Sequence, residues 1–482
     1  MSLTALECFA HSLTTADTIG DLRLGLIGDG IDIPGLNGTN KMVYADYVAS
    51  GRALSQVENF VRNDVLPYYS NSHTEASYCG AHISAMRAEA RSAIAKACGA
   101  DGKYAVIFSG SGATSGLNRI VHLFGIRQAA EQGGNPLVLV GPYEHHSNIL
   151  PWRESGAEVI EISEGATGKP DMAALEAQLQ AATGRMVIGA FGAASNVTGI
   201  QTDTKAVTRL LKQHGALAVW DFAGAGPYVP INLRVDEDCA MDAVVISPHK
   251  FLGGPGASGV LIVKTTAVVA DTPTLAGGGT VNFVSPWAHD YSESVIAREE
   301  AGTPNIVGDI RAACAFIVKA AIGDDVMADR QNRFFGAAKE RWDANPFIEI
   351  LGNPAATNRL PIFSMRVKAL QGAGYVHQQL FTRMLSDVYG IQARGGCACA
   401  GPYAHRLMGI DAAQSARIRS AIAKGEEMEK PGWTRLNFSV LLNDEKARFI
   451  IDSVDELART TERFAARYLC DETTARFRLD AA

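Results

Sequence analysis

Seven short β-branched runs, separated by segments of helix length, constrain this chain more than any other feature. From about Tyr104 they read A-V-I-F, P-L-V-L-V, E-V-I-E-I, M-V-I-G-A-F, A-L-A-V-W, D-A-V-V-I and G-V-L-I-V. Strands spaced by amphipathic helices pair through crossovers, which predicts a mostly parallel sheet covered by helices on both faces. After about Ile306 the pattern changes to longer helical runs, such as Arg311 to Ala321 and Asp444 to Tyr468, interrupted by shorter strand candidates. That change predicts a second, smaller α+β domain. The segment G-D-G-I-D-I-P-G-L-N-G-T-N, just before Met42, is turn chemistry. The expected division is therefore an N-terminal arm over 1–40, a large domain over 41–305 and a small domain over 306–482. No period of 20 to 50 residues is visible, which argues against a repeat architecture.

Composition bounds the function. The 482 residues are 47% apolar and 20% charged, far from the regime of disorder. Lys and Arg total 44 against 51 for Asp and Glu, a net charge of −7, and no long basic run stands out. Neither nucleic acid nor an anionic membrane is expected as a partner. The eight cysteines are dispersed, with neither a disulfide framework nor zinc-finger spacing, so no metal and a reducing, cytoplasmic setting are expected. No apolar stretch approaches the roughly 20 residues that cross a bilayer, and M-S-L-T-A-L-E-C-F-A has no basic region ahead of an apolar one.

Chemistry concentrates at the ends of the predicted strands. S-P-H-K-F-L-G-G-P-G-A-S-G, Ser247 to Gly259, puts Lys250 on a Gly-rich turn after D-A-V-V-I, where an open sheet exposes its ligand crevice. An amine held there can form a Schiff base with an aldehyde; a surface lysine in a loop would read the same in isolation. Asp221 closes A-L-A-V-W about thirty residues earlier. It suits the ring nitrogen of pyridoxal phosphate, whose protonated pyridinium is an electron sink, or a helix N-cap. F-S-G-S-G-A-T-S-G puts small residues and Thr114 between a strand and a helix, where backbone N–H groups can hold a phosphate. Y-E-H-H-S-N, Tyr143 to Asn148, supplies imidazoles that could stack on a flat ring and move protons, or that lie at the surface or bind a metal.

In this chain order Lys250, Asp221, the Gly-Ser-Gly-Ala-Thr turn and Glu-His-His resemble the class V aminotransferase family of pyridoxal-phosphate enzymes, particularly its cysteine desulfurase and selenocysteine lyase branch. The resemblance runs from about Tyr44 to Leu457 and includes Y-A-D-Y-V-A-S, S-H-T-E at His73, S-N-V-T-G at Asn196, R-E-E-A-G-T-P-N at Arg298 and T-R-L-N-F-S at Arg435. It implies the fold type I architecture and the cofactor pyridoxal 5'-phosphate. Lys250 would carry the Schiff base, Asp221 would pair with the ring nitrogen and His145 would stack on the ring. Ala113, Thr114, Ser247 and His249 would hold the phosphate, and Asn196 would contact the ring hydroxyl. Arg435, with Arg394 and His73, would bind the substrate. A homodimer is implied, with the G-G-G-T loop at Thr280 reaching the neighbouring subunit's phosphate.

The segment A-R-G-G-C-A-C-A-G-P-Y, Ala393 to Tyr403, resembles the desulfurase pattern R-x-G-x-x-C-A-x-P at Arg394, Gly396, Cys399, Ala400 and Pro402. The resemblance implies L-cysteine bound as an external aldimine, Cys399 taking its sulfur as a persulfide, alanine as product and a sulfur-acceptor protein as partner. Arg394 would favour the thiolate, with Cys397 a bystander or a second thiol. Departures at Gly224 and Ala193 support a reading without a catalytic thiol, as an aminotransferase, epimerase or β-lyase. D-F-A-G and A-A-S-N put Gly224 and Ala193 where desulfurases carry Gln and His, and Cys397 and Ala398 replace two histidines. An inserted segment, 410–433, would be either a cover over the site or surface decoration. A nucleotide-binding oxidoreductase leaves Lys250 unexplained, and a non-catalytic scaffold would need Lys250 only for stability.

Overall fold

A computed structural model describes residues 3–72, 75–370 and 374–480. The chain forms two compact units. The first comprises Met1–Ile27, Ser50–Ala194 and Thr202–Val326; the second comprises Gly28–Ala49, Ser195–Gln201 and Met327–Ala482.

The seven runs are the seven strands of the first unit's main sheet: β1 (Tyr104–Gly110), β2 (Leu137–Val140), β3 (Glu158–Glu161), β4 (Val187–Gly192), β5 (Leu217–Asp221), β6 (Ala243–Ile246) and β7 (Gly259–Lys264). Their order is β1-β7-β6-β5-β4-β2-β3. Strands β2 to β6 pair in parallel. Strand β7 runs antiparallel to both β6 and β1. The reason is the β6–β7 connection, which contains one 3-10 turn and no crossover helix, so the chain returns in the opposite direction.

Strands β2, β4 and β6 are buried along their whole length, as a sheet covered on both faces requires. Leu117 and Ile120 of α2 (Gly112–Leu123) belong to one apolar cluster with Val138, Ile188, Val219, Val245 and Leu261. Helix α1 (Tyr78–Ala97) is fastened by charge. Its Arg87 pairs with Glu300 at 2.5 Å and with Asp309 of α3 (Ile306–Ile322) at 2.7 Å. Its Arg91 pairs with Glu300 at 2.8 Å, and Glu300 also accepts the Phe108 amide of β1. The R-E-E-A-G-T-P-N segment thus ties two helices to the sheet. Near the N-terminus, helix Ala5–Ser12 opens on a capping box between Thr4 and Glu7, and Phe9 packs on Phe60.

The second unit is built on an antiparallel sheet of β8 (Ile348–Ile350), β9 (Ile362–Val367), β10 (Arg394–Gly396) and β11 (Trp433–Asn437), in the order β8-β9-β11-β10. Its core gathers Trp342, Phe363 and Phe438 with Met384 and Leu385 of α4 (Gln378–Tyr389) and Ile450 and Val454 of α5 (Asp444–Ala465). Trp342 meets Phe363 edge-on at 4.8 Å, the arrangement aromatic quadrupoles prefer. Val43–Tyr44 pairs in parallel with Ile391–Gln392. The closing helix ends at Ala465, short of the expected Tyr468. Tyr468 instead opens a hairpin, Tyr468–Asp471 against Arg476–Leu479, whose ladder takes the backbone groups a longer helix would use. Within 410–433, helix Ala412–Ala423 contains no buried residue. Among the described residues no helix is long and apolar enough to cross a membrane.

Candidate active site

In the first unit the loops that follow β1, β2, β5 and β6 carry the expected side chains, so they share the carboxyl edge of the parallel strands. Lys250 ends a 3-10 turn, Pro248–Lys250, directly after β6. The turn is pinned from behind. The Gly51 amide donates to the His249 carbonyl at 2.9 Å, and a Cβ on Gly51 would lie 1.8 Å from the Phe251 carbonyl oxygen, an approach only glycine allows. Phe251 itself is buried against Phe316 at 5.0 Å.

Asp221 closes β5 and is buried. Its Oδ1 accepts the Ala223 amide at 2.7 Å. Burial pushes the carboxyl above the usual carboxylate range, while the Ala223 amide and the Lys250 charge pull it back. A cationic ring nitrogen would complete the compensation. Desolvation, with the neighbouring Lys250 charge, holds the His249 imidazole down to about 4, so it is neutral at pH 7.

The N-terminus of α2 forms a narrow cradle. Ala113 donates its amide to Ser247 Oγ at 3.0 Å. Gly112 is left-handed at φ +64°, and a Cβ there would meet His249 Cε1 at 2.9 Å and Ser247 Oγ at 3.0 Å. Helix N–H groups, two hydroxyls and an imidazole converge here in a space that one methyl group would crowd. The Thr114 hydroxyl lies 2.7 Å from Ser147 Oγ, and the Ser147 amide donates to His145 Nδ1 at 3.1 Å. Nδ1 is the acceptor atom of the His145 ring in this contact. Thr280 is fully buried, with its hydroxyl donating to the Gly277 carbonyl at 2.6 Å.

Glu144, named in the motif but without a role, is the structural member of the group. Its Oε1 accepts the Gly192 amide at 2.7 Å and its Oε2 accepts Asn148 Nδ2 at 2.6 Å. The side chain therefore fastens the His145 loop to the end of β4, beside Asp221 in the register. Burial pushes this carboxyl up to about 8 against the pull of both donors. Ser147 and Glu144 both lie within Y-E-H-H-S-N, but their bonding depends on how the loop folds back.

In the second unit Arg435 lies on β11, opposite Arg394 of β10. Arg435 is buried; its Nη2 pairs with Asp46 Oδ1 at 2.8 Å and its Nη1 donates to the Asn196 carbonyl at 3.1 Å. Asp46 sits in the Y-A-D-Y motif, and sequence reasoning gave it no role. Arg394 is exposed. Asn196 donates its side-chain amide to the Ala398 carbonyl at 2.9 Å, and its Oδ1 is buried without a partner among the described residues. Cys399 is exposed and Cys397 is partly buried. Ala398 and Cys399 both take left-handed backbone conformations, at φ +52° and +56°. His73 lies outside the described residues.

The chemistry of the first unit's donors fits a phosphorylated pyridine aldehyde: an amine on a fixed turn, a buried carboxylate, an imidazole and a phosphate-sized cradle at a helix start. Residues 43–426 match the aminotransferase class-V family. A relative from Vibrio cholerae, named "Probable cysteine desulfurase", is 31% identical over 380 residues, covering 75% of this chain and 85% of its own. Among solved structures, a cysteine desulfurase from Thermococcus onnurineus superimposes with a TM-score of 0.70 at 22% identity, over 87% of this chain and 95% of that one. A cysteine desulfurase from Escherichia coli, in an S-sulfonic acid form, does so with a TM-score of 0.67 at 21% identity, over 87% and 94%. These structures share the fold type I architecture, an α/β large domain with a smaller α+β partner. With its family match spanning most of the sequence, the chain belongs to the class V aminotransferases, a family of pyridoxal-phosphate enzymes.

Proposed function

We propose that this enzyme removes the sulfur of L-cysteine, leaving alanine and a persulfide on Cys399. The observation that carries the reading is Cys399 itself: an exposed thiol on a left-handed turn, in register with Arg394, Gly396, Ala400 and Pro402 of the desulfurase pattern. The names of the relative and of the two solved structures support it.

Pyridoxal phosphate, when bound, supplies an electron sink for charge developing at the substrate α-carbon. The chain's own residues do the rest. Lys250 would hold the aldehyde carbon, Asp221 would pair with the ring nitrogen and His145 would stack on the ring. Ala113 N–H, Thr114, Ser247 and His249 hold the phosphate, and Asn196 the ring hydroxyl. Neutral His249 suits this task, because it can donate a hydrogen bond without adding a charge of its own. Arg435, with Arg394 and His73, binds the substrate carboxylate; Asp46 pre-orients its guanidinium. The Cys399 thiolate accepts the substrate sulfur, and Lys250 Nζ moves the proton at the α-carbon.

The same reading has the enzyme work as a cytoplasmic homodimer, in which the loop at Thr280 completes the neighbouring subunit's phosphate site. It also gives Cys399 a sulfur-acceptor protein as partner. Incubation with L-cysteine and a thiol is expected to yield alanine and sulfide, with Cys399→Ala abolishing both. Equal rates in wild type and Cys399→Ala would end the persulfide reading. Ala193 and Gly224, at positions where desulfurases carry His and Gln, favour a second reading as an aminotransferase. It predicts amino-group exchange that depends on an added 2-oxo acid.

A further inference from the structure

The turn that carries Cys399 also carries Cys397, and its geometry bears on both. The Ala400 amide donates to the Cys397 carbonyl at 3.1 Å. The two residues between them, Ala398 and Cys399, are both left-handed. A closed four-residue turn with two positive φ values is the I′ arrangement, which ordinarily selects Asn-Gly or Gly-Gly. Alanine and cysteine pay about 1 to 2 kcal/mol each for it. Strain of this kind persists only where the surroundings over-determine the backbone, and it concentrates at functional sites. Here the surroundings are explicit. Asn196 holds the Ala398 carbonyl, Gly396 is paired to Trp433 in the sheet, and Ala400 is fully buried at the start of helix Gly401–Met408.

One consequence is distance. With consecutive Cα atoms 3.8 Å apart and a near-right-angle bend at a left-handed Ala398, the Cα atoms of Cys397 and Cys399 are about 5.5 Å apart. That is inside the span a disulfide bridges and near its commonest value, whereas an extended strand would put them about 6.6 Å apart. The backbone thus sets the partly buried Cys397 and the exposed Cys399 at a Cα spacing that a disulfide can span.

We propose that Cys397 is a resolving thiol. Its thiolate attacks Sγ of the Cys399 persulfide; the bond from that Sγ to the terminal sulfur breaks, and the terminal sulfur leaves with the electron pair as hydrosulfide. The Cys397 sulfur is oxidised from thiolate to disulfide, Cys399 Sγ exchanges one S–S bond for another, and the terminal sulfur is reduced to sulfide. An external dithiol then restores the pair and becomes a disulfide itself. The reaction is intramolecular, so it outpaces attack by dilute external thiols. An acceptor protein must intercept the persulfide before Cys397 does. The proposal rests on the desulfurase reading.

The test is one anaerobic turnover of the reduced holoenzyme with L-cysteine and no added thiol, read by intact mass, alanine and sulfide. Wild type is expected to release alanine and an equivalent of sulfide and to become two hydrogens lighter, with the loss mapped to a peptide linking positions 397 and 399. Cys397→Ser is expected to release alanine, to stay one sulfur atom heavier and to release sulfide only when a thiol is added. Alanine from that variant also shows that it is folded. Wild type that makes alanine but ends one sulfur heavier overturns the resolving role and leaves the desulfurase reading standing, as does equal sulfide release by Cys397→Ser. No alanine from wild type overturns both.

Discussion

Replacing Gly112 by alanine tests whether the cradle at the start of α2 is as tight as its neighbours imply. Two costs add. A left-handed residue with a Cβ loses roughly 1 to 2 kcal/mol. Fitting that Cβ 2.9 Å from the His249 ring and 3.0 Å from Ser247 Oγ forces both to move, an overpacking cost of about 1 to 3 kcal/mol. The sum is about 2 to 5 kcal/mol. Gly133→Ala is the control: it has a similar φ of +78°, with nothing within 4 Å of the added Cβ, so it carries the backbone cost alone. Urea unfolding of the two apo variants against wild type separates the terms. The second readout is a spectral titration with pyridoxal phosphate. Displacing Ser247 removes a hydrogen bond to a charged group, about 1.5 to 3 kcal/mol, so Gly112→Ala should weaken binding by roughly ten to a hundredfold and Gly133→Ala should not. If Gly112→Ala costs no more than the control and binds the cofactor normally, Ser247 and His249 do not close on the helix start as described.

Two further outcomes follow from charge. Glu300→Gln leaves Arg87 and Arg91 short of their shared carboxylate; removing one partner from this partly buried cluster costs about 1 to 3 kcal/mol, and an unchanged thermal midpoint would show that the cluster does not hold α1 to the sheet. His249 titrates near 4 in the folded state and near its ordinary 6.5 when unfolded, so the unfolded chain binds the extra proton. Apo-protein stability should then be level above 6.5 and fall as pH drops from 6.5 toward 4, with His249→Gln flattening that limb in urea midpoints measured across the range; an unchanged limb would mean that His249 is not desolvated.

Much of the fold was legible because β-branched runs at helix-length spacing leave few ways to pair. The seven runs are the seven strands, and the motifs at their ends lie at the turns that follow those strands. The antiparallel β7 was not legible. Its run looks like the others, and its direction depends on a connection too short to hold a crossover helix. Glu144 shows the limit on the site. Its letter was in the motif, but its work is to accept an amide from Gly192, 48 residues away, and no local pattern encodes that partner. Arg435 is similar: T-R-L-N-F-S marks it, while its partner Asp46 is 389 positions earlier and meets it only through the second unit's folding.

The sequence by itself determined the class of sheet, the residue types at the strand ends and the family, because apolar periodicity and short strand-end motifs are local. Tertiary structure alone decided that Gly112 has no room for a methyl group, that Asp46 holds Arg435 and that Ala398 and Cys399 are left-handed. Those properties are set by atoms that approach from distant parts of the chain, and packing and backbone torsion become defined only when that approach is complete.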